Sequence, residues 1–379
     1  MTARTSIDQA AQPGAQPGIT PAPRWLGLLA AYSLVHVVSW QVIPRVVGTA
    51  PPSDNFEQLS WAEHLAWGYD KHPPLPTFVL WLFERVFPPG IPLTYALGGL
   101  EVATLFLLVW WITRHLLDDR RAIVAVLLVT CVTYYTRRLH FYNHNTGLLV
   151  AYALSVACVF KAAQTGRLVW YVLLGVTWAA GLLSKYQMVV GIACNALFII
   201  WIGRRELLRP LLCLAVAAVA CSILLIPHVL WLVDHHFPSF AYAARFVGAH
   251  LPWWERPADV VAFLLDQVMR VAPLAAWLFI LMRLPVGHAA ELPVAAMRDR
   301  SVLAGPLLAI HSWGPLAMMC SLSILFGTNL EMHWGTAFIW TFPILFLRMR
   351  AGLRLAALPL KTAFFSTALL QVVMLATYR

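Results

Sequence analysis

Apolar stretches about as long as a lipid bilayer is thick set the limits on this chain. A helix rising 1.5 Å per residue needs roughly 20 apolar residues to cross a hydrocarbon core of about 30 Å. Eleven stretches approach or meet that length: residues 25–48, 91–113, 122–137, 146–163, 168–184, 187–203, 209–233, 259–282, 303–326, 334–348 and 355–377. With 60% of its 379 residues hydrophobic and 12% charged, the chain is excluded from being one soluble domain. The expected fold class is an all-α polytopic membrane protein with about eleven transmembrane helices. Residues 76–88 are too short to cross and carry Glu84 and Arg85, so they are expected to lie along the interface.

Three divisions follow. Residues 1–24, rich in Ala, Pro, Gly and Gln, read as a disordered cytoplasmic tail and not as a signal peptide. Residues 25–379 read as one transmembrane domain, within which 49–90 form an outer loop.

The formal charge of +10 does not point to nucleic acid, because the basic residues come in twos and threes between apolar runs, as topology signals do. With the N-terminus inside, sixteen of the 27 Lys and Arg fall on the cytoplasmic side and nine on the outer side, with Arg270 inside a span and Lys361 near a span's cytoplasmic end. That count turns on the short stretches 122–137 and 334–348, since one helix more or fewer inverts the later half of the chain. The expected location is a bacterial inner membrane with the polar site facing the periplasm. Seventeen Trp and eleven Tyr suit two interfacial belts. The six cysteines lie inside apolar runs and read as packing residues.

On that orientation the outer side is chemically equipped and the inner side is not. The densest polar segment is 53–75, directly after the first span. On a helix from about Asp54, residues Asp54, Glu57, Gln58 and Trp61 share one face, and a Lys71-His72 pair follows before Pro73-Pro74. A solvated loop with a helix cap at Ser53 or Asp54 reads the same residues equally well. Further outer clusters are 137–145, 184–187, Asp234-His235-His236 and 329–334. Lys71, Arg137, Arg138 and Lys185 run against the charge bias and lie where a lipid phosphate would sit; Arg binds phosphate bidentately and Lys as a point charge. Snorkelling to outer headgroups is the plainer account of any one of them. Asp266 and Arg270 lie four apart within a span, as a functional or a structural ion pair. No standard metal-ligand spacing is present.

Asp54 through Pro74, with its Trp, His-Leu, Gly-Tyr and closing His-Pro-Pro-Leu, resembles the first outer loop of GT-C glycosyltransferases that use lipid-linked sugars. These are the relatives of protein O-mannosyltransferase and of the aminoarabinose transferase that modifies lipid A. The resemblance extends to Phe141-Tyr142-Asn143-His144-Asn145-Thr146, to Gly181-Leu182-Leu183-Ser184-Lys185-Tyr186 and, more weakly, to His333-Trp334. It implies a GT-C-like bundle with a helical first outer loop, and direct, inverting transfer. The family's loop begins Asp-Glu, the acid being the acceptor's base; here Asn55 follows Asp54, and Asn145 stands where an Asp is usual. Lys71-His72 replaces an acidic-then-basic pair. Either Glu57 supplies the missing carboxylate, or the acceptor differs, or catalysis is weakened. The family's members often carry a C-terminal extramembrane domain, and none is expected here.

The resulting expectation is a glycosyltransferase moving a hexosyl or pentosyl group from a polyprenyl-phosphate-linked sugar to a hydroxyl on a glycolipid, polysaccharide or protein. Asp54 and Glu57 are the candidate catalytic residues. Lys71, His72, Arg137, Arg138, Lys185 and Tyr186 are the candidate donor-phosphate residues. Gln58, Trp61, Trp67, Tyr69, Asn143, Asn145 and His333 are the candidate substrate-pocket residues. No cofactor is assigned, and a divalent cation stays open. A non-catalytic lipid-linked-sugar-binding subunit and a flippase or other transporter are the rival readings; a transporter would show internal repeats and broken helices near the midplane.

Overall fold

In a computed structural model, residues 23–247, 251–283 and 297–378 are described. The stretch read as a cytoplasmic tail lies, up to residue 22, outside them. Fifteen α-helices run through the described residues: α1 Pro23–Val46, α2 Ser53–Glu63, α3 Leu75–Glu84, α4 Ile91–Leu116, α5 Asp119–Val129, α6 His144–Thr165, α7 Leu168–Ser184, α8 Met188–Ile202, α9 Leu208–Asp234, α10 Pro238–Val247, α11 Arg256–Arg283, α12 Ala304–Phe326, α13 Thr341–Phe346, α14 Arg350–Ala357 and α15 Leu360–Ala376. Among the described residues, α1, α4, α6, α9, α11 and α12 are each long and apolar enough to cross a membrane, and α14 with α15 make a seventh candidate bent by 106°. The apolar helices α7 and α8 are shorter, at 17 and 15 residues.

Every one of the eleven apolar stretches contains helix, but 122–137 and 334–348 do not run as single helices. The first stops at Val129 and continues through a turn into a 3-10 segment, Thr133–Tyr135; the second begins as a 3-10 segment, Met332–Gly335, with only Thr341–Phe346 helical. These two irregular stretches satisfy each other. The Tyr134 hydroxyl donates to the Met332 carbonyl at 2.6 Å, and the Tyr135 hydroxyl to the Thr336 carbonyl at 2.8 Å. Non-helical backbone is tolerated at membrane depth when it is enclosed in protein, and all of α5 is buried. Sequence length alone suggested weak spans; the cause is pairing between them.

Helix association in lipid depends on close packing more than on expulsion of water. Helix α6 packs on α4 and α7, α7 on α9, and α8 on α12. Gly175 of α7 meets the α9 backbone so closely that a Cβ would lie 2.2 Å from the Ala217 carbonyl oxygen. A Cβ on Gly98 of α4 would lie 2.4 Å from the Phe141 carbonyl oxygen, so this glycine lets the 137–145 loop settle on α4.

The two ends of the bundle differ. At one end Arg121 pairs with Asp118 and Asp299, Arg348 with Asp299 and Arg300 with Asp119, a set of ties between α5 and later connections. The other end holds the 49–90 connection, the start of α6, the α7–α8 connection and the 329–335 segment.

Candidate active site

Helix α2 follows Pro51-Pro52, and its N-cap is Pro52 with no side-chain capping bond. Asp54 therefore does not cap its own helix, and the solvated-cap reading fails for it. Its Oδ2 instead accepts from Asn143 Nδ2 at 2.7 Å. Asn143 is the N-cap of α6: its Oδ1 accepts from the backbone N–H groups of Asn145 and Thr146 at 2.8 and 3.3 Å, and Thr146 closes a capping box. A carboxylate held beside a helix N-terminus is electrostatically favoured there.

Two residues further on, Asn145 Oδ1 accepts from Lys185 Nζ at 2.6 Å. The other half of that amide, Nδ2, lies 3.1 Å from His144 Nε2 and can only donate, which fixes His144 as neutral with its proton on Nδ1. Lys185 ends α7, and burial pushes its ammonium down to about 7 while Asp54, then Glu331, pull the other way. Asp54 and Lys185 are thus both held at one helix end, through Asn143 and Asn145.

The remaining candidates divide. His72 stacks on His144 with ring centroids 3.6 Å apart and sits edge-on to Tyr242 at 5.7 Å. Burial, then Lys185 and Lys71, bring His72 down to about 3; burial, then Lys185 and Arg138, do the same for His333. Both rings are neutral at ordinary pH. Glu57 is in an ion pair with Lys71, each side chain about a third exposed, and that bond holds the Lys71 ammonium above its usual range. Tyr186 is fastened through its hydroxyl to His228 Nε2 at 2.9 Å and Ser239 Oγ at 2.7 Å, and His228 Nδ1 reaches the Trp67 carbonyl at 2.5 Å. Trp61 stacks on Tyr69 at 4.7 Å. Gln58 is buried and accepts from Thr77 Oγ1 at 2.8 Å, tying α2 to α3. Helix α2 ends at Glu63, well before Pro73, so residues 64–74 are turns.

Arg137 and Arg138 line a cavity of about 500 Å³ with Arg270, Asp266, Pro52 and Tyr378. Asp234, His235 and His236 are exposed at the end of α9, apart from these contacts. Asn55 is fully buried, donating to Thr94 Oγ1 at 2.8 Å and the His140 carbonyl at 3.1 Å and accepting from the Tyr142 N–H at 3.1 Å. It is a clamp between α2, α4 and the 137–145 loop. Among the described residues no group of three or more His, Cys, Asp or Glu is placed to hold a metal ion, and all six cysteines are free. Sequence reasoning did not single out His144, Tyr242 or Glu331; His144 and Glu331 lay inside polar clusters it had marked, while Tyr242 carried no signal.

A helical bundle that gathers a carboxylate, an ammonium and neutral histidines at one end, around a helical connection over residues 49–90, has the fold of the GT-C membrane glycosyltransferases, and its sequence is similar to members of that class. Residues 71–231 match the family of dolichyl-phosphate-mannose-protein mannosyltransferases. The lipopolysaccharide core galacturonosyltransferase RgtA of Rhizobium johnstonii is 26% identical over 360 residues, covering 87% of this chain and 65% of its own length. ArnT of Cupriavidus metallidurans, in a crystal structure with undecaprenyl phosphate, superposes with a TM-score of 0.62 at 17% identity, over 93% of this chain and 64% of its own. The archaeal oligosaccharyltransferase AglB of Archaeoglobus fulgidus, solved with an inhibitory peptide and a dolichol-phosphate, gives 0.56 at 13% identity over 93% of this chain and 56% of its own. The chain therefore spans about two thirds of the length of RgtA and ArnT.

Proposed function

We propose that the protein transfers a sugar from a polyprenyl-phosphate donor to a hydroxyl acceptor on the periplasmic side of a bacterial inner membrane. The observation that carries this reading is the joining of Asp54 and Lys185 at the start of α6. The acceptor oxygen attacks the anomeric carbon as the bond from that carbon to the phosphate oxygen breaks. The hydroxyl proton passes to Asp54, and the polyprenyl phosphate leaves with the bonding electron pair. A positioned base of this kind contributes about 10²–10⁴-fold. Lys185 stabilises the charge growing on the leaving phosphate, as preorganised cations do.

Asn145 gains a purpose on this reading. A carboxylate there would pair with Lys185 and neutralise it; an amide orients the ammonium and leaves its charge for the donor phosphate. Glu57 holds Lys71 beside His72, and this pair with Tyr186 forms the rim of the donor site. The gathering of polar groups at one end, with structural ion pairs at the other, favours an enzyme over an alternating-access transporter. The similarity to RgtA, a lipopolysaccharide core galacturonosyltransferase, makes a polyprenyl-phosphate galacturonosyl donor the first to test, with lipopolysaccharide core as acceptor.

The test uses membranes containing the full chain and radiolabelled donor. Asp54→Asn and Lys185→Ala are each expected to abolish transfer with protein abundance unchanged. Full activity in both variants rejects the assignment.

A further inference from the structure

The 500 Å³ cavity beside the first outer loop is lined by Arg137 and Arg138, which the sequence groups with the donor-phosphate residues, but by none of Lys71, His72, Lys185 or Tyr186, so it lies outside the donor site proposed above. Its wall carries three guanidinium groups, from Arg137, Arg138 and Arg270, and one carboxylate, from Asp266. Asp266 is committed to Arg270 through two bonds, 2.8 Å to Nη2 and 3.1 Å to Nε. Arg137 and Arg138 have no ion pair among the described residues. Arg137 lies 5.4 Å from the centre of the Tyr378 ring and Arg138 5.4 Å from that of Phe141. Aromatic faces attract such cations without neutralising them. The wall thus has an excess of two positive charges at a membrane boundary, where uncompensated charge is costly.

Burial and the neighbouring Arg270 pull Arg138 below its ordinary value, while Asp266 and Asp54 support its charge. The second carboxylate sets the cavity's place. Pro52, the N-cap of the helix that carries Asp54, is part of the wall. Lys185, Lys71 and His72 are not. Two cationic regions therefore flank one candidate base. Beside Thr49, Thr133 and His140, the wall also carries Ala50, Phe141, Met269 and the Tyr378 ring, an apolar surface for the glycolipid end of a molecule.

We propose that this cavity is a separate anion subsite that takes a phosphate or carboxylate of an anionic glycolipid acceptor and so delivers the acceptor's sugar hydroxyl to Asp54. Arg137 and Arg138 grip the anion bidentately, and Arg270, braced by Asp266, closes the third side. The inference rests on the transferase reading, with the donor phosphate at Lys185.

The experiment is equilibrium binding to the full chain in neutral detergent with saturating undecaprenyl phosphate. The probes are a disaccharide glycolipid bearing phosphate esters, the same glycolipid dephosphorylated, and phosphatidylglycerol. The unsubstituted chain is expected to prefer the phosphorylated glycolipid over both others by about tenfold or more, the value of a charge-assisted contact. The double variant Arg137→Gln/Arg138→Gln should lose that preference while its undecaprenyl phosphate affinity stays within about twofold of the unsubstituted chain. Arg137→Gln alone, at an exposed side chain, provides the same reading should the double variant not fold. Three results overturn the proposal: no preference for phosphate esters, equal binding of phosphatidylglycerol, or loss of undecaprenyl phosphate binding in the variants. Failure of the unsubstituted chain to bind undecaprenyl phosphate defeats the donor reading itself and takes the acceptor role with it.

Discussion

Asp54 and Lys185 are linked through the first turn of a single helix: Asn143 donates to the carboxylate at 2.7 Å, and Asn145 accepts from the ammonium at 2.6 Å. The helix N-terminus sets the spacing between a base and a cation that come from elements 131 positions apart in the chain.

Asn143 serves α6 and Asp54 together, and the two duties separate by substitution. Asn143→Ala should lower stability by about 1 kcal/mol through the lost cap and also reduce transfer. Asn143→Asp keeps the capping oxygen but sets a second carboxylate against Asp54, so thermal unfolding should stay near that of the unsubstituted chain while transfer falls. Equal transfer in Asn143→Asp and the unsubstituted chain would show that Asp54 does not depend on this contact.

The pH profile should report Lys185. Its protonated form is the one that holds phosphate, and burial brings it down to about 7. Donor kcat/KM is therefore expected to fall as pH rises through about 7. Asn145→Asp introduces an opposite charge that favours the ammonium and should move the limb upward by about one unit or more. Lys185→Arg should remove the limb altogether. A limb that stays in place in both variants belongs to another group.

Asn55 provides a test of stability. Asn55→Ala leaves the buried Tyr142 N–H without its acceptor and should cost about 1–3 kcal/mol, seen as a lower unfolding temperature. Asn55→Glu, which restores the residue type usual in related loops, should destabilise the protein and give no gain in transfer, because the side chain faces α4 and not Asp54.

Glu57 is assigned to holding Lys71. Glu57→Gln and Lys71→Met should weaken donor KM to similar degrees, and the double variant should be little worse than either, with a coupling of about 0.2–1 kcal/mol for so exposed a pair. A far larger loss of kcat in Glu57→Gln than in Lys71→Met would make Glu57 a reacting carboxylate in its own right.

Much of this was legible in the chain. Bilayer-length apolar stretches identified the fold class, and the one-sided distribution of polar clusters pointed to Asp54, Asn143, Asn145 and Lys185 before any contact was known. Hydropathy could not say that the stretches around Tyr134 and Trp334 are irregular, because what holds them together is long-range: the Tyr134 and Tyr135 hydroxyls donate to the Met332 and Thr336 carbonyls across the fold. Nor could helical periodicity assign Gln58: it shares a face with Asp54 in sequence, yet Thr77 from the next helix draws it inward. Asn55 read as a lost acid until its three buried bonds showed a structural role. The pairing of Glu57 with Lys71 depends on turns between residues 64 and 74 whose geometry no pattern encodes.

The most direct test compares undecaprenyl phosphate binding and sugar transfer side by side in Asp54→Asn and Lys185→Ala. Asp54→Asn is expected to bind the carrier within about twofold of the unsubstituted chain while transfer drops by about 10²-fold or more, and Lys185→Ala to lose about tenfold or more in carrier affinity. Undiminished transfer in Asp54→Asn, or undiminished carrier binding in Lys185→Ala, contradicts the account.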